Sequence, residues 1–240
     1  MGDDRKAKLR ARWPDSVSRP VATPIQPSVV YASADPDALD RQYAGHDKGY
    51  TYAREGHPNA EVLAGLIDRM ESTSGGTIAS SGMAAVTLAL LSVLKAGDHA
   101  LGADQLYGRS LRMMTEELPR LGIEASLFDP TDLSAAKATI RPNTRLILVE
   151  TVSNPTLRIA DLDGLIGLAS ARNILVVVDN TFPTPRGVRP LERGADIILH
   201  SVTKLLAGHS DATLGYVAAR DPALNERIAS LGATLGMTPS

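Results

Sequence analysis

The stretch ADIILHSVTKLLAGHSDATLG, residues 195–215, is the most informative part of this 240-residue chain. Its apolar run Ile197–Leu199 predicts a buried strand, and Lys204 follows that strand with hydroxyl groups at Ser201 and Thr203 beside it. An amine at a strand end can hold a carbonyl cofactor as a Schiff base, and neighbouring hydroxyls can then bind a phosphate. On this stretch alone, a plain surface lysine at a strand end is the more common interpretation.

The same stretch also contains an S-x-x-K pattern, Ser201 to Lys204, which is typical of penicillin-recognising serine enzymes. Those enzymes carry S-D-N and K-T-G elements as well. Here Ser210-Asp211 is followed by Ala212, and no K-T-G occurs. The sequence therefore disfavours a serine hydrolase.

Composition narrows the class of protein. A net charge of -2 gives no electrostatic signal for binding nucleic acid or an anionic membrane. The absence of cysteine excludes disulfides and a cysteine nucleophile, and the five histidines show no metal-ligand spacing, so no metal site is expected. With no secretory signal in residues 1–13 and no apolar run of membrane-spanning length, we expect a cytoplasmic protein.

Short apolar runs alternate with amphipathic segments from about residue 60 onward, which predicts an α/β fold with a mostly parallel sheet flanked by helices. The runs Leu146–Val149 and Leu175–Val178 are continuous, as expected for strands buried on both faces. The predicted helices are Glu61–Met70, Gly82–Leu94, Ser110–Leu121 and Asp161–Arg172, and the predicted strands are Thr77–Ala79, His99–Gly102, Ile123–Phe128, Arg145–Glu150, Ile174–Asp179 and the run Ile197–Leu199.

Residues 1–57 differ from the rest, because they are polar, contain prolines and show little periodicity. We interpret them as an arm and residues 58–240 as one domain. No linker between two domains and no internal repeat is visible.

Polar residues end several of the predicted strands, and the carboxyl ends of parallel strands form one edge where ligands bind. Ser80–Gly82 opens a helix, so the N–H groups of Gly82 and Met83 could point at an anion, although for this turn alone an ordinary helix cap at Ser81 is the more common interpretation. Asp179 could pair with a protonated ring nitrogen or simply close a turn.

Two further residues follow predicted strands. The ring of Tyr107 could lie on an aromatic cofactor, or it could be a rim tyrosine. Asn154 could reach a phenolic oxygen or a substrate carboxylate, or it could form a plain turn. An amine, a carboxylate, an aromatic face and phosphate donors from two turns together match the needs of pyridoxal 5′-phosphate (PLP).

The chain resembles the PLP-dependent enzymes of cysteine and methionine metabolism, which include the cystathionine γ-synthases and the cystathionine β- and γ-lyases. The resemblance runs from about Tyr50 to the end of the chain. It rests on these motifs: Tyr52-Ala-Arg54, Ser81-Gly-Met-Ala-Ala85, Asn154-Pro155, Val178-Asp-Asn-Thr181, Ser201-x-Thr-Lys204 and Gly208-His-Ser-Asp211. One departure is His57, which stands where the family has asparagine in R-x-x-N-P-T.

The resemblance implies a fold-type-I large domain and a role for each matching residue. Lys204 would form the Schiff base, Asp179 would pair with the pyridinium nitrogen, and Tyr107 would stack on the ring and act in proton transfer. Asn154 would lie beside the ring. The phosphate ligands would be Gly82, Met83, Ser201 and Thr203, together with Tyr52 and Arg54 from a neighbouring subunit.

By the same resemblance, the substrate would be a small sulfur amino acid, and the reaction would occur at its Cβ or Cγ. The assembly would be a homo-oligomer, a dimer of dimers with active sites shared between subunits. Family members continue beyond Ser240, so we expect the PLP-binding domain to be incomplete and the small C-terminal domain to be absent. The alternatives are a PLP-binding fragment with weak or no turnover and another fold-type-I enzyme, such as an aminotransferase or a cysteine desulfurase.

Overall fold

The computed structural model describes residues 17–18 and 20–239, which form a sheet of seven strands with helices on both faces. Along the chain the order is α1 (Pro36–Tyr43), α2 (Pro58–Glu71), β1 (Thr77–Ala79), α3 (Gly82–Leu91), β2 (His99–Ala103), α4 (Gly108–Arg112), a π-helical turn (Met113–Glu117), α5 (Leu118–Arg120), β3 (Glu124–Phe128), α6 (Leu133–Thr139), β4 (Thr144–Glu150), α7 (Leu162–Ser170), β5 (Leu175–Asp179), α8 (Thr184–Gly187), β6 (Ile197–Ser201), β7 (Gly215–Ala219) and α9 (Pro222–Leu235).

The strand order in the sheet is β1-β7-β6-β5-β4-β2-β3. The strands β3, β2, β4, β5 and β6 pair in parallel, whereas β7 pairs antiparallel with both β1 and β6. The prediction of a mostly parallel α/β sheet is therefore confirmed. Six strand ends meet at the same edge of the sheet, and β7 begins there.

The core lies on both sides of the sheet, which is why the central strands are apolar throughout. On one face, α2 packs on β1, β6 and β7 through Ile67, Ile78, Ile198 and Tyr216. The larger cluster contains α3 and the interiors of β2, β4 and β5. Burial of apolar area on both faces drives this arrangement, at about 25 cal/mol per Å² removed from water.

His57, which stands where the R-x-x-N-P-T motif has asparagine, has a local structural explanation. His57 precedes α2 in an extended conformation, and its Nδ1 accepts a hydrogen bond from the Asn59 backbone N–H at 3.2 Å. Pro58 follows at the first helical position, where its missing N–H costs nothing. The histidine therefore caps the helix, which is the role that an asparagine serves well at such a position.

The predicted arm, residues 1–57, lies partly outside the described residues, since residues 1–16 and 19 are not described. Within its described part, α1 has no buried residue, and a single bridge pairs Val30 with Tyr52. Its contact with a neighbouring subunit remains a prediction. Among the described residues, no helix has both the length and the apolar character that crossing a membrane requires.

Candidate active site

The loops at the carboxyl edge of the sheet pack closely enough to require glycine at two positions. A Cβ on Gly82 would lie 2.7 Å from the Ser201 Cβ, and a Cβ on Gly215 would lie 2.1 Å from the Ser81 carbonyl oxygen. The turn between β1 and α3 therefore lies directly against the end of β6 and the start of β7. This contact joins the two turns that the sequence assigned to phosphate binding.

The first turn of α3 offers free backbone donors at this edge. Ser81 caps the helix, because its side chain accepts a hydrogen bond from the Ala84 N–H at 3.1 Å. The N–H groups of Gly82 and Met83 donate no hydrogen bond within the described part of the chain. Together with the positive end of the helix dipole, these groups form a place where an anion can bind.

Lys204 lies three residues beyond β6, and its side chain is exposed. Its backbone N–H donates to the Ser201 carbonyl oxygen at 3.1 Å, so the main chain turns immediately after the strand. Among the residues that the structure describes, no carboxylate or carbonyl oxygen bonds its ammonium group. The amine is thus available to a ligand at the edge of the sheet.

Thr203, predicted as a phosphate donor, uses its hydroxyl within the chain. Its Oγ1 donates to the Leu214 carbonyl oxygen at 3.1 Å and accepts from the Leu214 N–H at 3.0 Å. These bonds close the loop between β6 and β7. A hydrogen bond from Thr203 to a phosphate would therefore have to replace the one to Leu214, whereas no such bond occupies the Ser201 hydroxyl in the described structure.

Asp179 ends β5, beside Leu199 of β6 and Glu150 of β4. Its Oδ1 accepts a hydrogen bond from the Thr181 N–H at 2.9 Å. Burial raises the pKa of Asp179, while the bonds from Thr181 and the charge of His200 oppose that shift. A buried carboxylate of this kind gains from a cationic partner, which is what a protonated ring nitrogen would supply.

Glu150 ends β4, and its side chain is 8% exposed. Its Oε1 accepts a hydrogen bond from the backbone N–H of Tyr107 at 2.5 Å, and the backbone N–H of Asn154 lies near the same carboxylate. Burial, followed by the charge of Asp179, raises the pKa of Glu150 to about 7, although the two N–H groups act in the opposite direction. This carboxylate holds the loop that carries Tyr107 next to the loop that carries Asn154.

The side chains of Tyr107 and Asn154 themselves are exposed, Tyr107 by 48%. Tyr52 and Arg54 are not joined to this edge by any hydrogen bond or ion pair of the described residues. The Arg54 guanidinium lies 5.3 Å from the centre of the Tyr52 ring and pairs with Glu55. The structure thus places the candidates after Arg54 at strand ends or in the loops of one sheet edge, and no hydrogen bond or ion pair of the described residues ties Tyr52 or Arg54 to them.

Sequence reasoning missed a buried polar group behind this edge. His200 Nε2 lies 2.6 Å from Glu71 Oε1, and both side chains are fully buried. Asn180 donates to the same Glu71 oxygen and accepts from the Thr151 hydroxyl. The signals were present: Glu71 follows Ile67 by four helical residues, and His200 follows Ile198 by two strand residues, so each shares a buried face.

The contact at Gly82 predicts a measurable defect in a Gly82→Ala variant. The new methyl group would meet the Ser201 Cβ at 2.7 Å and its Cα at 3.1 Å, so the turn must move. We expect a loss of about 1–3 kcal/mol in the free energy of unfolding, measured by urea titration, together with weaker PLP binding.

Gly108→Ala is the matched control, because Gly108 is also the first residue of a helix and a Cβ there meets nothing within 4 Å. It should leave stability unchanged or slightly increased. Equal losses in the two variants would contradict the packing argument.

The raised pKa of Glu150 predicts a pH dependence of stability. Because the pKa is about 7 in the folded chain and 4.5 ordinarily, the folded state binds more protons between these values. Stability contributed by Glu150 is therefore greatest below pH 4.5 and falls by roughly 3 kcal/mol as pH rises to 7. The difference in unfolding free energy between the parent and Glu150→Gln should follow this curve and level off above pH 7.

Urea titrations of both proteins at unit pH intervals from 5 to 8 measure that difference. Asp179 also has a raised pKa, and comparing the two proteins removes most of its contribution. If the difference in unfolding free energy stays constant from pH 5 to 8, the pKa of Glu150 is not raised as described.

A mostly parallel sheet that presents an amine, a buried carboxylate and free helix N–H groups at its carboxyl edge is the arrangement of a cofactor-binding α/β protein. A family model described as "Cys/Met metabolism PLP-dependent enzyme" matches residues 9–240. The chain therefore belongs to this family.

Comparison with individual relatives agrees with this family membership. The chain is 43% identical over 185 residues to the cystathionine gamma-lyase of Bacillus subtilis, covering 77% of this chain and 48% of that protein. It is 44% identical over 192 residues to the cystathionine beta-lyase MetC of the same organism, covering 78% and 49%. The chain thus spans about half the length of the curated relatives that it matches.

A solved structure gives the same fold. The putative O-acetylhomoserine (thiol)-lyase of Campylobacter jejuni superposes with a TM-score of 0.82 at 29% identity, covering 95% of this chain and 56% of that one. That structure contains N′-pyridoxyl-lysine-5′-monophosphate. The residues at the edge of this sheet fit the same group: free N–H donors for a phosphate, an exposed amine for a carbonyl, and a buried carboxylate for a ring nitrogen.

Proposed function

We propose that this protein is a PLP-dependent enzyme that acts at Cβ or Cγ of sulfur amino acids, as a cystathionine β- or γ-lyase or a cystathionine γ-synthase. The observation that carries the proposal is the sheet edge itself, where Asp179 and Lys204 follow the neighbouring strands β5 and β6 and the first turn of α3 packs against the end of β6. Membership of the family supplies the class of chemistry. The names of the relatives support sulfur amino acids as the substrates.

When bound, PLP supplies an electron-poor ring that stabilises negative charge at the substrate Cα. Lys204 would anchor the cofactor through its amine, which no partner in the described structure occupies. Once released by the substrate, that amine would take the proton from Cα and deliver it elsewhere. Its position on a short turn after β6 limits its movement, which favours such a transfer.

Asp179 would hold a proton on the ring nitrogen, since an ion pair relieves the cost of burying its carboxylate. The Gly82 and Met83 N–H groups and the Ser201 hydroxyl would bind the phosphate, with Thr203 joining if its bond to Leu214 opens. Tyr107 would lie against the ring, and Asn154 would orient the substrate beside it.

Keto-acid release tests the function. Purified protein with PLP is given cystathionine, and pyruvate or 2-oxobutyrate is measured; release of either without an amino acceptor supports a lyase. A separate reaction with cysteine and an activated homoserine ester tests for cystathionine synthesis. Keto-acid formation that requires an amino acceptor would instead indicate an aminotransferase, and bound PLP without turnover in any assay would indicate a binding fragment.

We also propose that the site is shared between subunits of a homo-oligomer, through Tyr52 and Arg54. In support, no hydrogen bond or ion pair joins these two side chains to the strand-end residues in the described structure. The described part of the arm also exposes several apolar side chains, which a partner surface would cover: Val17, Val21, Ile25, Val29 and Val30.

Complementation between two inactive variants tests the shared site. An Arg54→Ala chain and a Lys204→Ala chain should each be inactive alone, whereas a refolded mixture contains heterodimers with one intact site. We expect up to about half of the parent activity per heterodimer, measured by keto-acid release. If no mixing ratio restores activity, the arm serves its own subunit.

A further inference from the structure

The carboxylate of Glu150 connects the loop after β2 to the end of β4. Glu150 ends β4 in register with Asp179 and lies four residues before Asn154, and its carboxylate accepts a hydrogen bond from the backbone N–H of Tyr107. Hydrogen bonds to an ionised carboxylate are about twice as strong as neutral ones. One buried side chain at the base of the Asn154 loop thus fixes the main chain of the Tyr107 loop, and both loops are proposed to contact the cofactor or the substrate.

Tyr107 and Asn154 depend on this connection, because their own side chains make no hydrogen bond in the described structure. The position of each ring or amide is therefore set mainly by its backbone. The loop after β2 and the loop after β4 share one further hydrogen bond, from the Thr156 hydroxyl to Gln105 Oε1 at 2.8 Å, and both of those residues lie nearer to solvent. Glu150 provides the buried connection, and Thr156 provides the exposed one.

We propose that Glu150 is a positioning residue of the active site, whose carboxylate holds the Tyr107 loop and the Asn154 loop together as one unit beside Asp179. This inference rests on the proposed function, since it assigns a purpose to the geometry of Tyr107 and Asn154. Glu150 acts through their backbones and transfers no proton itself. Losing the connection leaves the ring of Tyr107 and the amide of Asn154 free to move relative to Asp179, and a misplacement of about 1 Å can cost 100-fold in rate.

Backbone amide exchange tests the connection without any cofactor or substrate. In Glu150→Ala, hydrogen exchange measured by NMR should be about 10-fold to 100-fold faster at the Tyr107 N–H group, the range expected for losing a hydrogen bond to a charged group. Glu150→Gln, which keeps one acceptor oxygen and the side-chain volume, should show a smaller change. Thr156→Val, which removes the exposed connection to Gln105 and the bond to the Ser153 hydroxyl but leaves Glu150 in place, is the matched control and should leave the Tyr107 amide close to the parent.

The kinetic test uses the same variants with PLP bound. We expect Glu150→Ala to reduce kcat of keto-acid release by at least about 10-fold, with partial recovery in Glu150→Gln and near-parental kcat in Thr156→Val. If Glu150→Ala does not fold, the inference is tested by comparing Tyr107 amide exchange and kcat between Glu150→Gln and Thr156→Val. Unchanged Tyr107 exchange in a folded Glu150 variant, or equal effects in Thr156→Val, would overturn the inference. Because exchange is measured without cofactor, that failure is distinct from an absence of keto-acid release by the parent, which would overturn the proposed function.

Discussion

Replacing Lys204 by alanine is expected to abolish covalent attachment of pyridoxal and to reduce turnover by at least 1,000-fold, roughly the scale seen when a covalent catalytic group is removed. The reason is specific to its position: its amine extends from the turn after β6 and has no partner among the described residues. Among the lysines that the structure describes, no other follows a strand at the carboxyl edge. Residual binding through the phosphate donors should remain.

Lys137→Ala is the control for this prediction, because Lys137 is an exposed residue in the last turn of α6. The absorbance of bound cofactor and the rate of keto-acid release are measured for both variants and the parent. Lys137→Ala should match the parent in both measurements. Turnover by Lys204→Ala within tenfold of the parent would show that another group holds the cofactor and transfers the substrate proton.

The second large effect is expected at Asp179. In Asp179→Asn the side chain keeps its shape and can still accept the Thr181 N–H, but it loses the charge that would hold a proton on the ring nitrogen. Exchange of the substrate α-proton with deuterated solvent should slow by about 100-fold or more, because a charge interaction with the reacting system is removed. NMR of the substrate measures this step separately from later steps.

Asp179→Glu is the companion variant, since it restores the charge and alters the length. Exchange in it should exceed that in Asp179→Asn. Cofactor occupancy is measured in each sample, so that a slow rate is not mistaken for lost binding. Exchange by Asp179→Asn at the parental rate would show that the charge of Asp179 plays no part.

Local sequence patterns predicted the parts of the fold that depend on local chemistry. Leu146–Val149 and Leu175–Val178 lie within β4 and β5, because strands covered on both faces must be apolar throughout. The helix predicted at Ser110–Leu121 contains a π-helical turn, Met113–Glu117, which an apolar pattern of helical spacing does not distinguish from α-helix.

What the sequence reasoning missed depends on distant partners. The strand Gly215–Ala219 is rich in small residues and has weak strand propensity; it is buried because it pairs with β1 and β6. The pair Glu71 and His200 is separated by 129 residues, and a local pattern does not show that they meet. The helix Pro222–Leu235 is an exception: it was not predicted either, although it has a local signal, since Asp221 caps it and a proline follows.

In the site, too, local patterns were informative and distant contacts were not predicted. Asp179, Lys204 and the first turn of α3 were predicted because they follow strands, and ligands bind at the carboxyl ends of parallel strands. The hydroxyl of Thr203 was expected to be free for a phosphate, yet it bonds to Leu214, eleven residues along the chain. Glu150 ends its strand just as Asp179 does, and the same rule could have given it a role.

Reductive trapping tests the central claim most directly. The protein is incubated with PLP, reduced with borohydride, digested and mapped by mass spectrometry. The chain has six lysines, Lys6, Lys8, Lys48, Lys95, Lys137 and Lys204, so the map distinguishes every possible attachment site. We predict a single pyridoxyl-modified peptide that contains Lys204, and a modification found on any other lysine, or on none, would contradict the account.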